Sequence, residues 1–124
     1  MIRYFPLAFV LVAVSAMGAE QQRAIPDRFQ GEWNAKLEHC GTSLNDSRLR
    51  ISADHLQFHE SGGPVRAVVT QGESDVALIA EVSGEGETWL LYRHFRLSAD
   101  RACMTDITDK DAAFVRYRCP KGSK

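Results

Sequence analysis

Apolar residues recur at every second position along most of the chain after Pro26. Period-two alternation is typical of β-strands with one buried and one exposed face, and helical spacing is much rarer in this chain. A helical segment of a turn or two is expected only around residues 26–30. The alternation predicts eight strands, at residues 31–38, 48–52, 55–60, 65–70, 76–83, 88–97, 102–107 and 113–119.

Turn-forming residues separate the predicted strands. Residues 45–47, 61–64, 71–75, 83–87 and 98–101 contain Gly, Pro, Asn, Asp or Ser, which favour tight connections. Short strands joined by such turns are typical of antiparallel meanders that close into a barrel or fold into a sandwich. Because closure removes exposed sheet edges, we predict an all-β fold, a small antiparallel meander closing into a barrel of about seven or eight strands.

Strand parity predicts which side chains point into the barrel, because alternate residues face the same side of a strand. Barrels of about eight strands are filled by their own side chains or hold one small ligand, and the pattern leaves both open. The expected inner face consists of Trp33, Ala35, Leu37, Leu49, Ile51, Leu56, Phe58, Val76, Leu78, Ala80, Trp89, Leu91, Phe95, Val115 and Tyr117.

The start of the chain has the layout of a secretory signal peptide. Arg3 precedes an apolar run that ends in small residues, and this run is shorter than the ~20 residues that span a bilayer. We therefore predict a signal peptide at residues 1–19 and a single mature domain at residues 20–124. The expected location is periplasmic or secreted, without stable membrane insertion.

The charge balance argues against nucleic acid as a partner. The chain has 15 basic and 16 acidic residues, so removal of Arg3 with the leader gives a formal charge of about −2. A nucleic-acid-binding domain is usually basic. Arg93, Arg96, Arg116 and Arg118 cluster near the C-terminus without interleaved exposed aromatics, and we interpret them as solvated strand positions.

Three cysteines, Cys40, Cys103 and Cys119, lie in the predicted mature domain. An oxidising compartment normally pairs two of them and leaves the third free. Gly41 follows Cys40 and Pro120 follows Cys119, so both look like ends of elements, whereas Cys103 lies in an apolar run and suits a buried thiol. We predict a disulfide between Cys40 and Cys119.

This pairing conflicts with a simple meander of eight strands. The first and last strands would place Cys40 and Cys119 at opposite rims, on the order of 20 Å apart, which no disulfide can bridge. Either the bond joins Cys103 to Cys119, or one strand assignment is wrong and the strand count is odd. We expect the chain to double back within residues 37–47.

The polar residues do not form a recognisable catalytic or metal-binding pattern. His55 and His59 would be neighbours on a helix, but this spacing on a strand separates them by roughly 13 Å. Asp106, Asp109 and Asp111 lack the Asp-x-Asp-x-Asp-Gly pattern of a calcium loop. We therefore predict no enzymatic activity, no metal site and no cofactor.

The segment Gly31, Glu32 and Trp33 resembles the opening strand of lipocalin-like barrels, in which a Gly-x-Trp begins the barrel and the indole plugs one end. In those families an arginine near the end of the last strand packs on this tryptophan. The resemblance implies that Arg116 or Arg118 makes a cation–π contact with Trp33 at the barrel end.

Size and export signal add two further resemblances. The chain is similar to small periplasmic barrel inhibitors of secreted metalloproteases, which also combine a leader, an early Gly-x-Trp and a nearby cysteine. It is also similar to uncharacterised envelope proteins of Gram-negative bacteria. In the inhibitors the acting element is a flexible N-terminal stretch, which corresponds by position to residues 20–26.

We expect an exported, non-enzymatic barrel that binds a protein partner in the cell envelope, as an inhibitor or a protective factor, because so short a barrel is filled by its own side chains. The alternative is a carrier of a small apolar ligand or lipid inside the barrel, since aromatic side chains are typical of apolar pockets.

Overall fold

The computed structural model describes residues 18–42 and 45–122, so residues 1–17 of the predicted signal peptide lie outside the described part. Short 3-10 turns form at Asp27–Phe29 and Leu37–His39. No helix in the described part is long and apolar enough to cross a membrane. The described residues form nine strands: β1 Glu20–Gln22, β2 Gly31–Asn34, β3 Leu49–Ile51, β4 His55–Phe58, β5 Gly62–Gln71, β6 Asp75–Gly84, β7 Glu87–Leu97, β8 Cys103–Asp106 and β9 Phe114–Arg118.

Strands β2 to β9 form a closed antiparallel barrel. Each pairs with the next along the chain, and β2 pairs with β9 to complete the circle, with Trp33 opposite Arg118 and Asn34 opposite Tyr117. Strand β1 is additional to this barrel and pairs with the far end of β5, along Val68 to Thr70. The predicted all-β meander closing into a barrel of about seven or eight strands is confirmed with a count of eight, and each predicted strand corresponds to one of β2 to β9.

Large apolar side chains fill the interior. The 3-10 turn at Asp27–Phe29 lies where a short helical segment was expected, and it buries Phe29 completely. Burying such side chains contributes roughly 1.5–3 kcal/mol each. The fully buried set includes Ile25, Phe29, Trp33, Leu49, Leu56, Val76, Ala80, Val82, Phe95 and Met104.

Four of the predicted inner residues are exposed instead. Leu37 is 55% exposed, because β2 ends at Asn34 and does not continue to residue 38. Trp89 has the inner parity but is 40% exposed, because it lies near the hairpin end of β7. On β9 the parity is reversed: Val115 and Tyr117 are exposed, while the neighbouring arginines take the inner positions.

Strand lengths are very unequal around the barrel. Strands β5, β6 and β7 have 10, 10 and 11 residues, whereas the other strands of the barrel have three to five. Strand β8 pairs only with Phe95 to Leu97, so the first half of β7 has β6 on one side and none of the nine described strands on the other. We call the β6–β7 hairpin the ribbon, and residues 88–92 of β7 the open edge.

The predicted disulfide between Cys40 and Cys119 is confirmed. The two Cα atoms are 5.6 Å apart and 79 residues separate the cysteines. The expected conflict with barrel geometry does not arise, because the 3-10 turn at Leu37–His39 reverses the chain after β2, at the start of the region where the chain was expected to double back. Cys40 therefore returns to the level of Glu32, whose carbonyl accepts the N–H of Cys119. Cys103 is a free thiol and is half-buried.

The disulfide should contribute substantially to stability, because it closes a long loop in the unfolded chain. We expect the Cys40→Ser, Cys119→Ser double variant to lower the free energy of unfolding by about 2–5 kcal/mol. Urea unfolding monitored by tryptophan fluorescence measures this difference. Cys103→Ser is the matched control and should change stability by less than about 1 kcal/mol; an equal loss in both variants would contradict the assignment.

Candidate functional site

One end of the barrel is closed by Trp33. Its side chain is completely buried, and the indole N–H donates to the carbonyl of Phe29 at 3.0 Å. The Arg118 guanidinium lies 4.2 Å from the centre of the Trp33 ring, within cation–π range. The same guanidinium donates to the main-chain carbonyls of Arg28, Gln30 and Arg101.

Arg118 therefore ties four segments of the chain together at the closed end. Burial lowers the pKa of Arg118, and the nearby Arg101 lowers it further. Arg118 stays protonated at neutral pH because an arginine pKa starts so high. Of the two arginines considered for this contact, the structure places Arg118 on Trp33 and Arg116 elsewhere, 4.7 Å from the centre of the Phe114 ring.

A polar network beside the disulfide centres on Glu32. Its carboxylate accepts hydrogen bonds from Gly41 N–H, Asn34 Nδ2 and Arg50 Nε, each at 3.1 Å. Burial by itself raises the pKa of Glu32, but these hydrogen bonds outweigh it and hold the pKa below its ordinary value. The carboxylate is thus a satisfied structural group that fastens the loop after β2.

The same region contains the one group of potential metal ligands found among residues 18–42 and 45–122. A Glu32 carboxylate oxygen and the sulfurs of Cys40 and Cys119 lie within 4.8 Å of one another. Thiolates are the sulfur species that ligate zinc, and both sulfurs are already consumed in the disulfide. These residues do not fit a metal.

An open groove of about 610 Å³ runs along the outer face of β2, β3 and β4. The C-terminal segment after β9 forms its second wall. Arg50, Arg118 and Lys121 line it together with Glu32 and His55, and Ile51 and Pro120 add apolar surface. Arg50 is paired with Glu32, and Arg118 donates to main-chain carbonyls, so these three charged groups of the groove are already held by internal partners.

The opposite end of the barrel contains a cluster of charges that we call the mouth cluster, consisting of Arg93, Asp106 and Arg116. Arg116 is only 9% exposed and its Nε donates to the carbonyl of Ser47 at 2.8 Å. Its two terminal nitrogens make no hydrogen bond to any other residue that the structure describes. The solvated strand position predicted for Arg116 is wrong, because its parity turns it inward.

Arg93 also contributes to this cluster, from the inner face of β7. Its Nε lies 3.3 Å from the Asp106 carboxylate, and its Nη1 donates to the carbonyl of Tyr92. Burial lowers the pKa of Arg116 to about 10, Asp106 opposes this change and Arg93 reinforces it. Two cations thus face a single carboxylate, and the mouth cluster carries one excess positive charge.

The outer face of the ribbon carries large apolar side chains. We call Ile79, Leu90 and Tyr92 the outer patch. Leu90 is 71% exposed and Tyr92 is 51% exposed, and Ile79 lies directly opposite Tyr92 in the β6–β7 register. Contiguous exposed apolar side chains on a folded domain commonly mark an interaction surface. Strand parity left these three residues off the predicted inner face, but nothing in the sequence indicated that they form a patch.

Sequence reasoning also missed an ion-pair cluster at the start of β6. Asp75 is 8% exposed and accepts two hydrogen bonds from Arg96, at 3.0 and 2.9 Å. His94 Nε2 lies 2.9 Å from the same carboxylate, and Ser74 donates to it at 2.8 Å. The Arg96 hydrogen bonds hold the pKa of Asp75 well below its usual range, against the effect of burial. The β6–β7 register, which pairs residue 75 with residue 96, was the missed signal.

The other polar residues considered at the sequence level are not brought into one site. His55 Nε2 lies 3.5 Å from Gln57 Oε1. His59 Nε2 lies 3.9 Å from a carboxylate oxygen of Asp46 and 3.9 Å from one of Glu60. The acidic residues after β8 serve local turns: Asp106 accepts from Thr108, and Asp109 accepts from Asp111 N–H. These contacts give the residues structural roles.

Comparison with known proteins finds no matching family model, no matching curated protein and no matching solved structure. The functional argument therefore depends on the geometry of the two barrel ends and of the ribbon.

Replacing Arg118 should open the closed end. We expect Arg118→Ala to lower the free energy of unfolding by about 2–4 kcal/mol, because it removes the contact with Trp33 and three charged hydrogen bonds. Arg118→Lys should recover part of the loss, since it keeps the charge but not the planar fork. Urea unfolding measures both. Arg66→Ala, on an exposed pair with Glu81, is the control; a loss no larger than that of the control would contradict this role.

Asp75 should make stability depend on pH. Because the folded-state pKa is lowered, the carboxylate stabilises the fold above about pH 4, the ordinary carboxyl pKa, and this contribution is lost as the pH falls below that value. We expect Asp75→Asn to lose about 1–2 kcal/mol at neutral pH. The difference from wild type should shrink as the pH falls below about 4. Urea unfolding across this range, with exposed Asp54→Asn as control, checks it; a pH-independent difference would contradict it.

Proposed function

We propose that this protein is an exported, non-enzymatic β-barrel that binds a protein partner through the ribbon, in an inhibitory or protective role in the cell envelope. The observation that carries this proposal is the outer patch. Leu90 and Tyr92 are well exposed on β7, which extends past its neighbour β8, and Ile79 lies opposite Tyr92 on β6. Covering side chains of this size contributes roughly 1.5–3 kcal/mol each.

Two observations support export. The chain begins with the layout of a secretory leader, and the mature domain contains a disulfide between Cys40 and Cys119. Disulfides form and persist mainly in oxidising compartments such as the periplasm or the extracellular space. A periplasmic or secreted location is therefore part of the proposal.

The resemblance to lipocalin-like barrels and to periplasmic protease inhibitors supports the class of function but not the binding element. Residues 20–26 correspond by position to the flexible N-terminal stretch of those inhibitors. Here Glu20–Gln22 is strand β1, paired with β5, and Ile25 is buried with its N–H bonded to the carbonyl of Ala53. We therefore assign partner binding to the ribbon and not to the N-terminus.

The alternative, a carrier of a small apolar ligand, receives less support from the interior. Phe29, Trp33 and Phe95 are completely buried there among aliphatic side chains. The tryptophan that lies at the mouth, Trp89, is 40% exposed and borders acidic residues of the hairpin turn and of the β4–β5 connection. An apolar ligand would have to displace core side chains in order to enter.

A native pull-down from envelope extract tests the proposal. The mature chain from Glu20 onward is the bait, and mass spectrometry identifies both proteins and lipids in the eluate. We expect a stoichiometric protein partner with wild type and at least about tenfold weaker capture with the Leu90→Ser, Tyr92→Ser double variant, because the variant removes apolar contact area.

Leu37→Ser is the matched control, since Leu37 is another exposed leucine but lies outside the ribbon. It should retain the partner. Equal capture by wild type and the double variant would contradict binding through the ribbon. A bound lipid without any protein would instead favour the carrier function.

A further inference from the structure

Alternate residues of the open edge direct their backbone groups to a side on which no described strand pairs with them. The two-residue turn at Glu85 and Gly86, with φ of 50° and 79°, makes Gly84 and Glu87 a hydrogen-bonded pair. Hydrogen-bonded pairs then recur at every second residue, so Trp89, Leu91 and Arg93 direct their backbone groups toward β6. Thr88, Leu90 and Tyr92 direct theirs away from β6.

Contacts at the end of the edge agree with this register. His94 follows Tyr92 in the set of residues whose backbone groups point away from β6. Its carbonyl accepts the N–H of Ile107, and its own N–H donates to Thr108 Oγ1. No backbone hydrogen bond from another described strand reaches Thr88, Leu90 or Tyr92 on this side. The carbonyl of Tyr92 accepts a hydrogen bond from the side chain of Arg93.

The space beside the open edge adjoins the mouth cluster. A strand added there would continue the line of β8, whose last residue, Asp106, pairs with Phe95 of β7. Its inward-facing side chains would lie next to Leu91 and Arg93. The two terminal nitrogens of buried Arg116 lack hydrogen-bond partners in the described part of the chain, and Arg93 shares the single carboxylate of Asp106.

From this geometry we infer that the open edge binds an extended segment of a protein partner as an added β-strand, and that this segment places one acidic side chain inward against Arg93 and Arg116. This inference rests on the proposed function and names the chemistry of the partner. Strand addition supplies main-chain hydrogen bonds, and side chains at alternate positions supply specificity.

Charge and apolar character fix the pattern that the bound segment must have. Outward positions pair with Leu90 and Tyr92 and are apolar, because residues directly opposite one another share a face. The acidic residue lies at the Arg93 end, since the hairpin end of the edge carries Glu85 and Glu87 and repels it. The single carboxylate of Asp106 faces both Arg93 and Arg116. The acidic side chain of the bound segment would supply a second carboxylate to these two guanidinium groups.

Binding of designed peptides tests the inference. The probe is a nine-residue peptide with Val and Thr at alternate positions and one central inward Glu, and its matched control carries Gln in place of Glu. With the full mature protein, isothermal titration should give about 10- to 100-fold tighter binding for the Glu peptide. Arg93→Gln should abolish this difference, and Arg116→Lys should reduce it.

Arg66→Gln is the control variant, because Arg66 lies on the outer face in a pair with Glu81. It should leave the preference intact, and far-ultraviolet circular dichroism verifies that every variant is folded. Equal affinity for the Glu and Gln peptides, or an unchanged preference in Arg93→Gln, would overturn the inference.

Repeating the pull-down with Arg93→Gln separates the two proposals. Capture that falls in both the Leu90→Ser, Tyr92→Ser variant and Arg93→Gln supports both. Capture that is lost only in the Leu90→Ser, Tyr92→Ser variant supports partner binding through the ribbon and refutes the inference that the partner strand places an acidic residue against Arg93. Capture that is unchanged in both refutes the proposed function itself, whatever the peptides show.

Discussion

Closure of the barrel depends on the contact between Arg118 and Trp33. The two residues face one another across the only pair of strands that joins the start of the described barrel to its end. The guanidinium stacks on the indole and also bonds to three carbonyls, so one side chain holds the last strand, the first strand and two loops together. The disulfide reinforces the same junction one residue further along, at Cys119. These contacts all lie at the closed end, and the strands differ in length at the opposite end.

At that end, the three long strands β5, β6 and β7 extend beyond the five short strands of the barrel. A strand that outruns its neighbour leaves backbone groups without partners, and native proteins usually cover or blunt such an edge. Here the edge instead lies between apolar side chains on its outer face, Leu90 and Tyr92, and the incompletely neutralised arginines of the mouth cluster on its inner face. An edge with two chemically distinct faces can select a partner strand by the side chains on both faces of that strand.

The eight strands and their turns follow from local signals, because alternation and turn residues are read within a few positions. The disulfide follows only in part: the residues after Cys40 and Cys119 favour that pair, but Cys103 to Cys119 stayed open because the reversal of the chain after β2 could not be read from the sequence. The burial of Arg116 does not follow from local signals, since an arginine in a strand pattern predicts a surface position. The resemblance to lipocalin-like barrels suggested a contact of Arg116 or Arg118 with Trp33, but which of the two makes it depends on the pairing of β2 with β9. The same holds for Asp75, whose partner Arg96 is fixed only by the register of a long hairpin. The open edge could not be read from the sequence because it depends on where β8 stops, and strand ends are set by tertiary pairing.

Residue-resolved amide hydrogen exchange of the free mature protein tests most directly that the edge is open. The account predicts rapid exchange at Leu90 and Tyr92 and strong protection at Leu91 and Arg93, whose amides are directed toward β6. Uniform protection of all four amides in the dilute monomer would contradict the open edge and, with it, the binding surface that the ribbon provides.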